Sequence, residues 1–217
     1  MKMKRISTLL LSLTALLAGL QLTSCSEHED NIYTHITTGS ILLSDNRIVS
    51  ATGYDASTMQ AIGVVMGIRE DSVWVVSNKE LGQYAYLDTL QTVDNVSSDA
   101  YALCGTENTA ALLQSDRKAY AARAVAGMAS PVRGWSLPSI GELRMLSAAL
   151  PAVGKSMEVI GGDKFLTSQY LSSTQDGSNS QTEELYANCI TLQSGYVTSM
   201  SKTEKAEVRA VLRIKIR

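Results

Sequence analysis

The decapeptide GWSLPSIGEL, Gly134 to Leu143, restricts the fold more than any other stretch of the chain. Gly134 allows a sharp reversal, and Trp135 carries the largest apolar surface a side chain offers. Pro138 fixes φ on the approach to a helix, and Ser139 stands three residues before Glu142. At that spacing the Ser139 hydroxyl accepts the amide proton of Glu142, while the Glu142 carboxylate reaches back to the amide of Ser139. The chain is expected to turn a corner here, bury Trp135 against a sheet and begin a helix. Trp135, Pro138, Ser139 and Glu142 thus read as fold anchors, and a catalytic Ser139 would have no histidine beside it.

The first residues belong to no fold. A basic stretch, Met1 to Arg5, precedes an apolar run, Ile6 to Leu20, too short for a comfortable membrane span. Leu22-Thr23-Ser24-Cys25 resembles the lipobox of bacterial lipoproteins, which implies cleavage after residue 24 and acylation of Cys25. Several acyl chains at ~0.8 kcal/mol per buried methylene would hold the protein to a membrane, and the alternative is an uncleaved anchor helix. Ser26 to Asp30, with Glu27, His28 and Glu29, looks like the surface-export signal of Bacteroidetes-type lipoproteins or, more plainly, a solvated tether. The expected organisation is a leader (1–24), a polar tether (25–36) and one domain (37–217). Localisation follows as the outer membrane through the lipid anchor, facing the cell surface or, alternatively, the periplasm.

Without residues 1–24 the chain keeps 16 basic and 21 acidic side chains, a net charge of −5, since Lys2, Lys4 and Arg5 are removed. Such a balance gives no electrostatic reason to bind nucleic acid or an anionic membrane surface. Cys104 and Cys189 remain. They either pair, which would stabilise by roughly 4 kcal/mol in the chain-entropy model, or stay as buried thiols.

Short strands are expected first. Ser40 to Leu43 and Arg47 to Ser50 flank an Asp45-Asn46 turn. AIGVVMGI (61–68) and SVWVVS (72–77) form a second hairpin around Arg69-Glu70-Asp71, with Trp74 buried. The middle is helical: Asn108 or Thr109 caps a helix to Leu113, Asp116 caps the next through Met128 until Pro131, and the helix after Ser139 stops at Pro151. Tyr120 falls on the apolar stripe of the second helix and is expected in the core with Tyr170. Three strands follow, at 170–174, 185–192 and 208–216, separated by the polar loops 175–183 and 193–205.

Histidine occurs only at His28 and His35, so no H-E-x-x-H, zinc cluster or Ser-His-Asp triad can be assembled in the domain. No phosphate-binding glycine motif is present either. Asp176, Asn179, Glu183 and Glu184 could offer oxygen ligands to Ca²⁺, but their spacing fits no known loop, and a solvated loop without metal is the expectation. Tyrosine is abundant, nine against one Phe. Its wide apolar ring and polar tip suit recognition, and Tyr196, in a Gly/Ser/Thr stretch, is the candidate exposed anchor.

GTENTAALL (105–113), an Ala-rich helix around Tyr120, GWSLPSIGEL, YLSST (170–174) and a closing VRAV strand occur in the order of a bacterial family. The series resembles the Lcl C-terminal domain, named for a collagen-like surface adhesin, and is similar in plan to the formylglycine-generating-enzyme group. The resemblance implies an α+β, C-type lectin-like fold: two main helices packed on twisted antiparallel sheets, with ligand loops in the carboxy-terminal half. The family's aromatic pair is replaced by Tyr170-Leu171, and the calcium-binding tripeptides EPN, QPD and WND are absent. Cys104 and Cys189 match no reactive pair of the enzyme group, so no catalytic role and no cofactor are expected. The expected function is a non-catalytic surface module binding a glycan, matrix protein or partner subunit. A structural subunit of a surface fibre or uptake complex is the alternative.

Overall fold

A computed structural model describes residues 35–216. The leader, Cys25 and most of the tether lie outside the described residues. The fold is α+β, with two sheets and four α-helices among the described residues. Among those residues no helix is long and apolar enough to cross a membrane.

The first sheet has six antiparallel strands in the order β2-β1-β3-β4-β11-β6. These are β1 (Ile41–Leu43), β2 (Ile48–Val49), β3 (Ala61–Arg69), β4 (Ser72–Ser77), β6 (Trp135–Ser136) and β11 (Val211–Lys215). Both expected hairpins form, and Asn46 (φ 72°) and Glu70 (φ 51°) make their turns in the left-handed region. All six residues of β4 are buried. A central strand covered on both faces needs no polar alternation, which is why SVWVVS reads as an unbroken apolar run. Val73 and Val75 enter one apolar cluster and Trp74 and Val76 the other.

The second sheet runs β5-β10-β7-β8-β9: β5 (Gly82–Ala85), β7 (Gln169–Gln175), β8 (Tyr186–Thr191), β9 (Tyr196–Ser201) and β10 (Lys205–Val208). All its pairings are antiparallel except β10 with β7. Strand 208–216, expected to be continuous, is two strands in two sheets. The chain crosses between them at Arg209-Ala210, both fully buried. Arg209 turns inward there, its Nη2 donating to the Asp163 carbonyl at 2.8 Å and its guanidinium lying 4.2 Å over the Phe165 ring. The loop expected at 193–205 contains the strand β9, which zips onto β8 over six register pairs.

The helices are α1 (Gly105–Gln114), α2 (Tyr120–Ala126), α3 (Ile140–Val159) and α4 (Ser180–Leu185). Asn108 and Thr109 are not caps but lie inside α1, buried, with the Thr109 hydroxyl donating to the Gly105 carbonyl at 2.6 Å. Nor does Asp116 cap α2, which starts at Tyr120 and ends before Gly127, well short of Pro131. Tyr120, expected in the core, is 43% exposed; Tyr170 is fully buried. The helix α3 does not stop at Pro151 but continues to Val159. An interior proline withholds one ladder bond and costs about 3 kcal/mol. The turns beyond it offset that: Val153 and Met157 are buried, and Ser156 Oγ donates to the Gly39 carbonyl at 2.7 Å.

Candidate functional site

The corner at Gly134 (φ 97°) forms as its spacing predicts. Ser139 Oγ accepts from the Glu142 amide at 3.2 Å, and Glu142 Oε2 accepts from the Ser139 amide at 2.9 Å. Glu142 Oε1 also takes the indole proton of Trp74 (3.1 Å) and the amide of Gly105 (3.3 Å) at the start of α1. Two helix N-termini thus face one buried carboxylate. Burial pushes this carboxyl above its ordinary value, against the donated hydrogen bonds. A Cβ at residue 105 would collide with Glu142 Oε2, so Gly105 is needed for the close approach. Trp135 is 8% exposed, its Nε1 donating to Ser130 Oγ at 3.0 Å, and the Pro138 carbonyl accepts from the Ser173 amide at 2.8 Å. Every polar atom of this corner that bonds does so to the scaffold.

The candidate ligand residues of the carboxy-terminal half separate. Asp176 is 7% exposed and accepts from the Ser178 amide (3.0 Å), Ser178 Oγ (2.6 Å) and Ser199 Oγ (2.5 Å). Burial raises its carboxyl, but those hydrogen bonds outweigh it and leave the group below its usual range. Asn179 caps α4 by accepting from the Thr182 amide at 3.0 Å. Glu183 lies in α4, its backbone carbonyl accepting from Lys202. Among the described residues no three His, Cys, Asp or Glu gather to hold a metal ion. Tyr196 is 68% exposed, on the edge strand β9 rather than in a loop. The Cys104–Cys189 pairing does not form, and both thiols are free. Cys104 precedes α1, while Cys189 sits inside β8 with Sγ 4.0 Å from Met200 Sδ; burial pushes its thiol up to about 12.

A different part of the second sheet forms a recess. The outer strand β5, the first residue of α2 and the β9–β10 turn enclose a cleft of about 540 Å³, lined by Gln83, Tyr84, Leu87, Tyr120, Thr203 and Lys205 among others. Tyr84 and Tyr120 supply two partly exposed rings, while Leu87 is fully buried. Gln83 is held by Glu207, its Nε2 donating to Oε1 at 2.7 Å. Asp88 stands at the rim, 3.4 Å from the Lys118 amide. Clefts of this size with aromatic walls and a few fixed polar groups are the usual form of small-ligand sites. A polar cleft of about 370 Å³ beside Asp94 and Asp116 has no aromatic wall.

Next to the cleft residue Thr203 is the fully buried Lys202, whose carbonyl accepts from the Leu87 amide at 2.9 Å. Its ammonium donates to the Gln91 carbonyl (2.7 Å), Gln175 Oε1 (2.7 Å) and the Glu183 carbonyl (2.6 Å), and lies 5.5 Å from the Tyr86 ring centroid. Burial lowers its pKa to about 8. Tyr86 donates its hydroxyl to the Ser173 carbonyl at 2.9 Å, and burial pushes its pKa upward. These bonds tie Lys202 and Tyr86 to β7, to α4 and to the chain at Gln91. Sequence reasoning missed this site. Its available signal was LGQYAYL (81–87), in which Tyr84 and Tyr86 alternate with small or polar neighbours.

No family model matches the chain, and no curated protein does. The fold does match a known one. A fimbrial protein from Bacteroides ovatus ATCC 8483, known from its crystal structure, superposes with a TM-score of 0.64 at 16% identity. The match covers 82% of this chain but 48% of that protein, so this chain spans about half its length. At that identity the likeness is one of fold.

Proposed function

We propose that the chain is a non-catalytic binding module, displayed from the cell surface by a lipid on Cys25, that takes a saccharide in the cleft between β5 and α2. The observation that carries the reading is the pair of tyrosine rings, Tyr84 and Tyr120, that line one cleft with the buried Leu87. The apolar face of a sugar ring packs on a tyrosine, and its hydroxyls pair with polar groups of the lining such as Asp88. The C-type lectin-like, Lcl-type resemblance belongs to the same proposal, supported by two main helices on two antiparallel-rich sheets. A glycan array probed with the protein tests it: binding is expected, and Tyr120→Ala should abolish it while the melting temperature stays unchanged. Binding that survives Tyr120→Ala would remove the cleft from the proposal. Protease shaving of intact cells tests display, and protection from the protease would place the protein in the periplasm.

A second reading, a subunit of a surface fibre, is favoured by the likeness to the fimbrial protein. Silence on the array together with co-purifying surface proteins would select it.

A further inference from the structure

Among the described residues the two sheets end in four strands, β2, β6, β5 and β9. Natural sheets protect such edges, because unpaired backbone groups invite another strand. Three of the four are protected. The strands β2 and β6 have two residues each, and β5 has four and runs beside α2. The fourth is not. The strand β9, YVTSMS, is six residues long with no charge, no proline and no register shift.

Its open side can be assigned. The Lys202 amide donates to the Leu185 carbonyl at 3.0 Å, continuing the ladder in which Ser201 faces Tyr186. Antiparallel ladder bonds recur at every second residue. Met200 and Thr198 therefore turn their amides and carbonyls toward β8, and Ser201, Ser199 and Val197 turn theirs outward; at the start of the strand the Tyr196 amide donates to Ser194 Oγ at 3.2 Å. An outer strand joined to those groups would place the residues opposite Tyr196, Thr198 and Met200 in non-hydrogen-bonded pairs, where side chains approach most closely.

We propose that β9 pairs with β9 of a second copy, antiparallel about a two-fold axis at Thr198, joining two five-stranded sheets into one. The identical strand fits without a clash of like charge, since β9 has none, and an uncharged edge offers nothing to select a partner of either sign. In this register Thr198 meets Thr198, Val197 meets Ser199, and Tyr196 meets Met200 twice across the axis. The Tyr196 ring, 68% exposed in one copy, then lies against the half-buried Met200 thioether of the other, a favourable sulfur–aromatic contact. None of the six β9 residues lines the cleft.

The test is sedimentation of the detergent-solubilised full chain over a concentration series. A dimer is expected. Thr198→Lys should weaken it about tenfold or more, by setting two ammonium groups face to face. Tyr196→Ser, at a side chain too exposed to unfold the chain, should weaken it several-fold, and decides the matter if the lysine variant fails to fold. Under mild oxidation Thr198→Cys should form an intermolecular disulfide, whereas Lys155→Cys on the exposed side of α3 should not. A monomer throughout, a dimer indifferent to both weakening variants, or equal cross-linking of the two cysteine variants would each overturn the proposal.

Discussion

The buried Glu142 and the half-buried Glu80 are two carboxylates neutralised in different ways. Glu142 receives three N–H groups, from Ser139, Trp74 and Gly105, and has no cation in contact. Glu80 instead faces a charge: Oε1 lies 2.9 Å from Arg209 Nε and accepts the Tyr170 hydroxyl at 2.6 Å. The Glu80 amide and Lys79 Nζ both reach Asp163, at 2.9 and 3.2 Å. The dipole-held site leaves none of its carboxylate oxygens unpartnered. Among the described residues the ion pair leaves Glu80 Oε2 and Arg209 Nη1 without hydrogen-bond partners, and Arg209 Nε is too poorly aligned on Glu80 to donate one. For both carboxyls burial is the largest influence and raises the pKa. The difference teaches that oriented amides satisfy a buried charge more completely than one opposite charge does, because several donors converge on it from fixed backbone.

The strongest way to break this contrast is to remove one member of the pair. Arg209→Met should cost about 3–5 kcal/mol in urea unfolding, since it leaves Glu80 without its cation beside Asp163 and Glu207. Adding Glu80→Gln to it should recover a large part, and a double variant as unstable as the single would show that Arg209 acts by packing on Phe165 alone. Glu142→Gln should cost less, about 1–3 kcal/mol, because the amide keeps one acceptor oxygen but turns donors toward N–H groups. A larger loss than that of Arg209→Met would reverse the ranking of the two sites.

Lys202 extends the comparison to a cation held by dipoles alone, and its expected effect is the smallest. Its folded pKa of about 8 lies below the ordinary 10.5, so the unfolded chain binds the proton more tightly. Stability contributed by this group should therefore rise as pH increases from about 8 toward 10.5, and the penalty of burying the charge is fully present below that window. Thermal melts of the protein and of Lys202→Met, compared at pH 7 and pH 9, read the difference. A Lys202→Met protein with the same pH slope would remove the assignment.

Much of the first site was legible. A serine three residues before a glutamate, behind Trp135 and Pro138, specifies a capped helix through bonds that span a single turn. The hairpin of β3 and β4 was legible for the same reason, since short-range turns and apolar runs encode it. The second site was hidden, because Glu80, Asp163, Tyr170 and Arg209 are brought together only by folding. Arg209 lies in VRAVLRIKI, where alternation predicts a solvated side chain on one strand; the chain instead changes sheets at that residue. Pro151 was misread because helix-stop chemistry is local, whereas the buried turns that carry α3 past it are not. The cleft at Tyr84 and Tyr120 was missed because its walls come from three separate elements.

The helix start at Ser139, the two amino-terminal hairpins and the shortage of histidine in the domain were all readable in the order of residues. Only folding decided that Asp176 and Asn179 hydrogen-bond within the scaffold, that Cys104 and Cys189 stay apart, that β9 is an open edge among the described residues, and that two tyrosines 36 residues apart share one cleft. The physical reason is range. Capping, turn and periodicity signals act over a few residues and are written in the order of the chain, whereas burial and the pairing of charges depend on which distant segments share the same space.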